Sequence, residues 1–157
     1  MTPIDTQHHL NHRQPMSRSL DTKFTRVLEL KNPNLVKTFH DLREFVLNIY
    51  PDSNELRYHT HALTIVFSLS DKLSDAFCMI PVYSNHLNLG FNKGTLLKDE
   101  KKRLTGTGKL IRHIPIQNEN DYRNTDVEQL ILSAVELALK EQVIPSKIVG
   151  KVISKIK

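Results

Sequence analysis

The chain has 157 residues, 39% hydrophobic and 25% charged, with 5 glycines and 7 prolines, which suits one domain with a proper core and excludes collagen-like and wholly disordered classes. Lys and Arg outnumber Asp and Glu by 22 to 17, and the excess lies in two segments: Asn92 to His113, where the only acids are Asp99 and Glu100, and Gln142 to Lys157, which has four lysines and no acid. The single Cys78 excludes an intrachain disulfide and points to a reducing, cytoplasmic setting, while no apolar stretch nears the roughly 20 residues of a membrane span and the first residues lack a leader-like apolar core.

In chain order, residues 1–20 are polar and without periodicity, and are expected to be a disordered tail. Phe24, Val27, Leu28 and Leu30 suggest a short element that docks on the core. Asn32 and Pro33 have the character of a helix cap and first turn, and Leu35, Phe39, Leu42, Val46 and Ile49 then draw an apolar stripe, predicting a helix over 33–50. Pro51 to Asn54 ends it. Strand-like runs follow at Ala62–Leu69, Asp75–Tyr83, His86–Asn92 and Lys109–Gln117, with Pro81 marking an edge or a strand end. Leu87, Leu89 and Phe91 alternate with His86, Asn88 and Gly90, so the first three should face the core. Leu96 to Leu104 crosses as a short helix or loop. Thr125 and Glu128 have capping-box spacing, and Val127, Leu130, Ile131, Ala134, Leu137 and Ala138 mark a helix over 125–140. Beyond Pro145, the four-residue spacing of Lys147, Lys151 and Lys155 beside Ile148, Val152 and Ile153 predicts that 142–157 hold a basic amphipathic helix. The fold class is α+β: a mainly antiparallel, curved sheet of about four to five strands packed against helices.

Chemistry-bearing motifs are sparse. Gly106-Thr107-Gly108-Lys109 imitates a phosphate loop, but Arg103 stands where the first glycine should be, Leu110 replaces the Ser or Thr, and the glycines precede a strand instead of opening a helix. A glycine-dependent turn fits better. His59 and His61 would share one face of a strand, and His86 and His113 could meet across the sheet. Neither pair has a visible third ligand, so no metal site is assigned. His8, His9 and His12 are read as weak adventitious binders. Cys78 lies in the apolar run AFCMIPV, where a thiol packs and does not react, and no nucleophile elbow or carboxylate pair is present. The balance favours binding over catalysis.

The block formed by HLNLGF (86–91), Lys93-Gly94, Leu96, Asp99, Leu104 to Lys109 and Arg112-His113-Ile114 resembles the YdhG-like domain family, whose members are mostly of unknown function. The likeness spans about Phe24 to Leu139, includes a Tyr58-His59 start to the first strand, and makes 21–141 the domain. It implies helices packed on one side of a curved antiparallel sheet. Some members are proposed intracellular iron chaperones of frataxin type, which makes metal delivery one reading of this chain. The leading reading is a non-catalytic, ligand-binding domain whose contacts are drawn from Tyr58, His59, His61, His86, Lys93, Lys109, Arg112 and His113. No cofactor is assigned. The partner is expected to be a small ligand, with nucleic acid on a basic face as the alternative and a homodimer as a further arrangement.

Overall fold

Helix starts are set by side chains that capture otherwise unpaired backbone N–H groups. A computed structural model of the chain describes Arg18 and residues 21–157, so the expectation of a disordered tail lies almost wholly outside the described residues. Asp21 accepts the Phe24 N–H at 2.9 Å to open α1 (Thr22–Leu28). Asn32 accepts the Asn34 N–H at 2.8 Å to open α2 (Pro33–Ile49), with Pro33 in the first turn as its fixed φ favours. The strands are β1 (Asn54–His59), β2 (Leu63–Ser68), β3 (Ala76–Val82), β4 (Leu87–Phe91) and β5 (Arg112–Ile116). They are followed by α3 (Thr125–Glu141) and β6 (Val152–Ser154).

The protein is α+β, with an open six-stranded sheet in the order β5-β4-β3-β2-β1-β6. All pairs are antiparallel except β1–β6, which is parallel. Phe39, Leu42, Val46 and Leu47 of α2 and Val127, Leu130, Ile131, Ala134 and Val135 of α3 are buried in one core with Ile65, Phe67, Ile80, Leu87, Leu89 and Phe91 from the sheet. The alternation in β4 thus faces as expected. The opposite sheet face carries a smaller cluster, Leu56, Val66 and Ala76, with Tyr58, Met79 and Ile153 packed beside it.

Four local expectations are corrected. First, α3 is capped by Asn124, whose Oδ1 accepts the Val127 N–H at 2.9 Å, and not by Thr125. Asn is as good a cap as Thr and stands one residue earlier. Second, the sheet has six strands. The strand-like runs of the sequence begin at Ala62, and β1 precedes them, its Glu55 and Arg57 side chains fully buried. Third, Pro81 is in an interior strand but near its C-terminal end, so the strand-end reading holds and the edge reading does not. Fourth, residues 142–157 form no helix.

The C-terminal segment instead runs irregularly to β6. Gly150 has φ +68°, a left-handed conformation that ends helical repetition and suits glycine. The buried Asn54 amide donates to the Ile148 carbonyl at 2.8 Å and accepts the Lys151 N–H at 3.0 Å. Val152, Ile153 and Ser154 then pair along β1, where the β-branched Val152 and Ile153 fit a pleated surface better than a helix. A four-residue lysine spacing is compatible with either structure, since it also keeps side chains on one face of a strand.

Candidate functional site

The antiparallel order distributes the sequence-selected residues to both ends of the sheet. His59 closes β1, His61 lies in the β1–β2 turn and His86 precedes β4; all three are exposed at one end. His86 stacks on Tyr83 with ring centroids 4.6 Å apart. Lys93, Lys109 and Arg112 lie at the other end, about 17 Å away along a five-residue strand. His59 and His61 do not share a strand face, because β1 stops at His59. His86 and His113 do not meet either, since His113 is opposite Gly90. Tyr58 is half-buried in the small cluster on the far face. Among the described residues, no three His, Cys, Asp or Glu side chains are grouped to hold a metal ion. Burial raises the Cys78 thiol well above its ordinary pKa, which leaves it protonated and inert.

At the Lys93 end, the chain after β4 turns tightly through Gly94–Leu96. A Cβ at Gly94 would be 2.5 Å from the Arg112 Cβ and 2.9 Å from the Arg112 nitrogen, so the loop can lie against β5 only with glycine there. The Arg112 guanidinium is turned back on its own loop, donating from Nη1 to the Gly108 carbonyl at 2.6 Å and the Ile111 carbonyl at 2.8 Å. Thr95 Oγ1 donates to the Lys109 carbonyl at 3.0 Å. Thus Arg112 closes the glycine loop, and Lys109 contributes its backbone to the same lock.

This loop forms one wall of a cleft against the C-terminal half of α3. Phe77, Leu97, Ala134, Leu137 and Ala138 supply apolar lining, Lys93, Glu141, Asp75 and Gln142 supply polar groups, and the cleft, open to solvent on one side, has a volume of about 60 Å³. Ala134 and Ala138 are one turn apart, so α3 presents two small side chains where larger ones would fill the gap. Lys93 Nζ is hydrogen-bonded to the Glu141 carboxylate. The Gln142 Nε2 is buried without a hydrogen-bond partner among the described residues. A buried amide N–H left unpaired costs about 1–3 kcal/mol, and turning the Gln142 side chain toward the cleft would let an oxygen acceptor there recover that loss. Of the sequence-selected residues, only Lys93 lines this cleft. Ala134, Leu137 and Ala138 belong to the apolar stripe that the sequence assigns to the core, and the signal that could have found them is the small-residue spacing near the end of α3.

A second concentration of polar groups lies inside the domain. The fully buried Glu55 carboxylate accepts from Arg43 Nε at 2.7 Å and Nη2 at 3.0 Å, from Arg57 Nη2 at 3.0 Å and from Arg18 Nη1 at 3.2 Å. Arg57 also lies over the Phe24 ring, 4.8 Å from its centroid. Burial alone would raise the Glu55 pKa, but the Arg43 hydrogen bonds and the surrounding guanidinium charges outweigh it and hold the carboxyl below its ordinary range. The cluster ties α2 and Arg18 to β1; with Glu55 and Arg57 fully buried and Arg18 and Arg43 only partly exposed, it has a structural role.

Compared with protein-family models, curated proteins and solved structures, the chain matches none.

Proposed function

We propose that the chain is a YdhG-like domain acting as a non-catalytic binding module, and that its ligand is a small molecule with an apolar body and an oxygen acceptor, held in the cleft between α3 and the loop after β4. The observation that carries this reading is the Gln142 Nε2, a buried and unpartnered donor beside an apolar lining. Such a combination, mostly hydrophobic surface with a few fixed polar groups, is what orients a small ligand. Lys93 is held by Glu141 alone among the described carboxylates, and a ligand carboxylate could compete for it. The α+β architecture is compatible with the family resemblance, and Lys93 of its Lys93-Gly94 motif lines the cleft.

Titration of the isotopically labelled protein with hexanoate and with hexanamide, followed by amide and side-chain NMR, tests the reading. Both probes should shift Gln142, Leu97 and Ala138, and Ala138→Leu should abolish the response by filling the cleft. Hexanoate should bind more tightly if Lys93 is engaged. Shifts confined to the His59, His61 and His86 end would sink the proposal.

A further inference from the structure

Among the described residues, the parallel β1–β6 ladder leaves an open sheet edge of defined chemistry. In a parallel pair, alternate residues direct both backbone groups toward one neighbour. The Lys151 carbonyl accepts from the Glu55 N–H at 2.8 Å and the Lys155 N–H donates to the Arg57 carbonyl at 2.7 Å, so positions 151, 153 and 155 address β1. Val152 and Ser154 therefore direct their N–H and C=O groups away from the sheet. Among the described residues, β6 pairs with β1 alone and forms that edge. Lys151, Ile153 and Lys155 share the sheet face that bears Leu56 and Tyr58, where Ile153 packs. Lys147, Lys151, Lys155 and Lys157 enter none of the ion pairs among the described residues.

We propose that β6 is a docking edge for an extended, acidic segment of a partner protein, which adds a seventh strand. The backbone of Val152 and Ser154 would bind the added strand, and carboxylates four residues apart would pair with Lys151 and Lys155 across an apolar residue opposite Ile153. Charge selects against a second copy of this chain. Two β6 edges paired antiparallel about Ile153 would set Lys151 of each opposite Lys155 of the other, and facing like charges oppose self-pairing. Nucleic acid would use the lysines but not the backbone groups.

The probe is the capped peptide TEVIVET, whose palindromic order presents the same pattern in either strand direction. Its controls are TKVIVKT, with reversed charge, and TVEIEVT, with glutamates moved to the other positions. Fluorescence anisotropy on the full chain should show saturable binding of TEVIVET and at least about tenfold weaker binding of both controls. Ser154→Pro removes an outward N–H while leaving those directed at β1, and should weaken binding by about tenfold, the value of one good backbone hydrogen bond. Lys151→Glu/Lys155→Glu, which changes only exposed or edge side chains, should do so even if the proline variant loses β6. Hydrogen exchange at Val152 and Ser154 should slow on binding. Equal binding of all three peptides, no binding of TEVIVET, or an oligonucleotide that binds equally well to wild type and Ser154→Pro would overturn the proposal. So would a dimeric wild type in which the Val152 and Ser154 amides are already protected.

Discussion

Arg43 on α2 and Glu55 on β1 form a forked ion pair, with Nε and Nη2 of the guanidinium donating to the two carboxylate oxygens at 2.7 and 3.0 Å inside the domain. A guanidinium matches a carboxylate in shape as well as charge, so this contact fixes how the helix is set against the sheet. Because Arg57 and Arg18 share the same carboxylate, Glu55 is the common counter-charge of three cations.

Glu55→Gln should therefore destabilise the fold by about 3–5 kcal/mol, the range for removing one member of a buried ion pair. The Glu55 carboxyl is held below its ordinary pKa by Arg43 and the neighbouring guanidinium charges, against the opposing effect of burial. Its contribution is complete above the unfolded-state value of about 4.3 and falls as pH drops through the lower folded-state value, because the unfolded chain takes up the proton first. Urea unfolding from pH 7 to pH 3 should show the gap between wild type and Glu55→Gln closing in acid. A gap that stays constant would mean that the carboxylate charge is not what stabilises the cluster.

Asn54→Ala should release the C-terminal segment while leaving the main core. The substitution removes the amide that bonds both Ile148 and Lys151, at a cost of about 0.5–1.5 kcal/mol for each hydrogen bond lost, since both partners belong to exposed residues. Amide exchange should accelerate at Lys151 to Lys155 far more than in β3 or β4. Uniform acceleration across the sheet would show instead that β6 unfolds only with the whole domain.

What the sequence discloses follows from how each residue meets solvent. In β4, Leu87, Leu89 and Phe91 alternate with residues of different polarity, and their burial was readable from that contrast alone. In β1 the contrast is inverted, because Glu55 and Arg57 are polar residues facing inward and paired through Arg57 Nη2, while Arg57 Nε and Nη1 have no partner among the described residues. Pairing across 12 residues to Arg43 leaves no local trace. The cleft was hidden for a related reason: Ala134 and Ala138 continue an apolar stripe, and only the position of the Gly94 loop shows that nothing large fills the space before them. The histidines attracted notice as a residue type, but the turns set His59, His61 and His86 at the end of the sheet opposite Lys93.

Gly94→Ala should disturb the cleft from behind its wall. The added methyl would meet the Arg112 Cβ and backbone, and relief requires the loop or β5 to shift, at about 1–3 kcal/mol for overpacking. Thermal unfolding should shift downward, with NMR changes concentrated at Thr95, Leu97 and Arg112. Gly108→Ala is the control, since its nearest heavy atom, the Ile111 carbonyl oxygen, is at an ordinary contact distance of 3.8 Å. Equal effects of the two substitutions would count against a steric requirement for glycine at 94.

Cys78 provides a reporter of opening in the main core. Its side chain is fully buried in β3 and burial raises its pKa, so the native protein exposes neither the sulfur nor a thiolate to a reagent. Labelling by a chromogenic disulfide at pH 8 should be slow in native buffer, and complete within minutes in denaturant. In Glu55→Gln the native-state rate should rise in proportion to the unfolded population, provided that cleavage of the reagent is slow compared with reclosing. Rapid labelling of the wild type with no change in Glu55→Gln would show that β3 opens locally, independently of the buried arginine cluster.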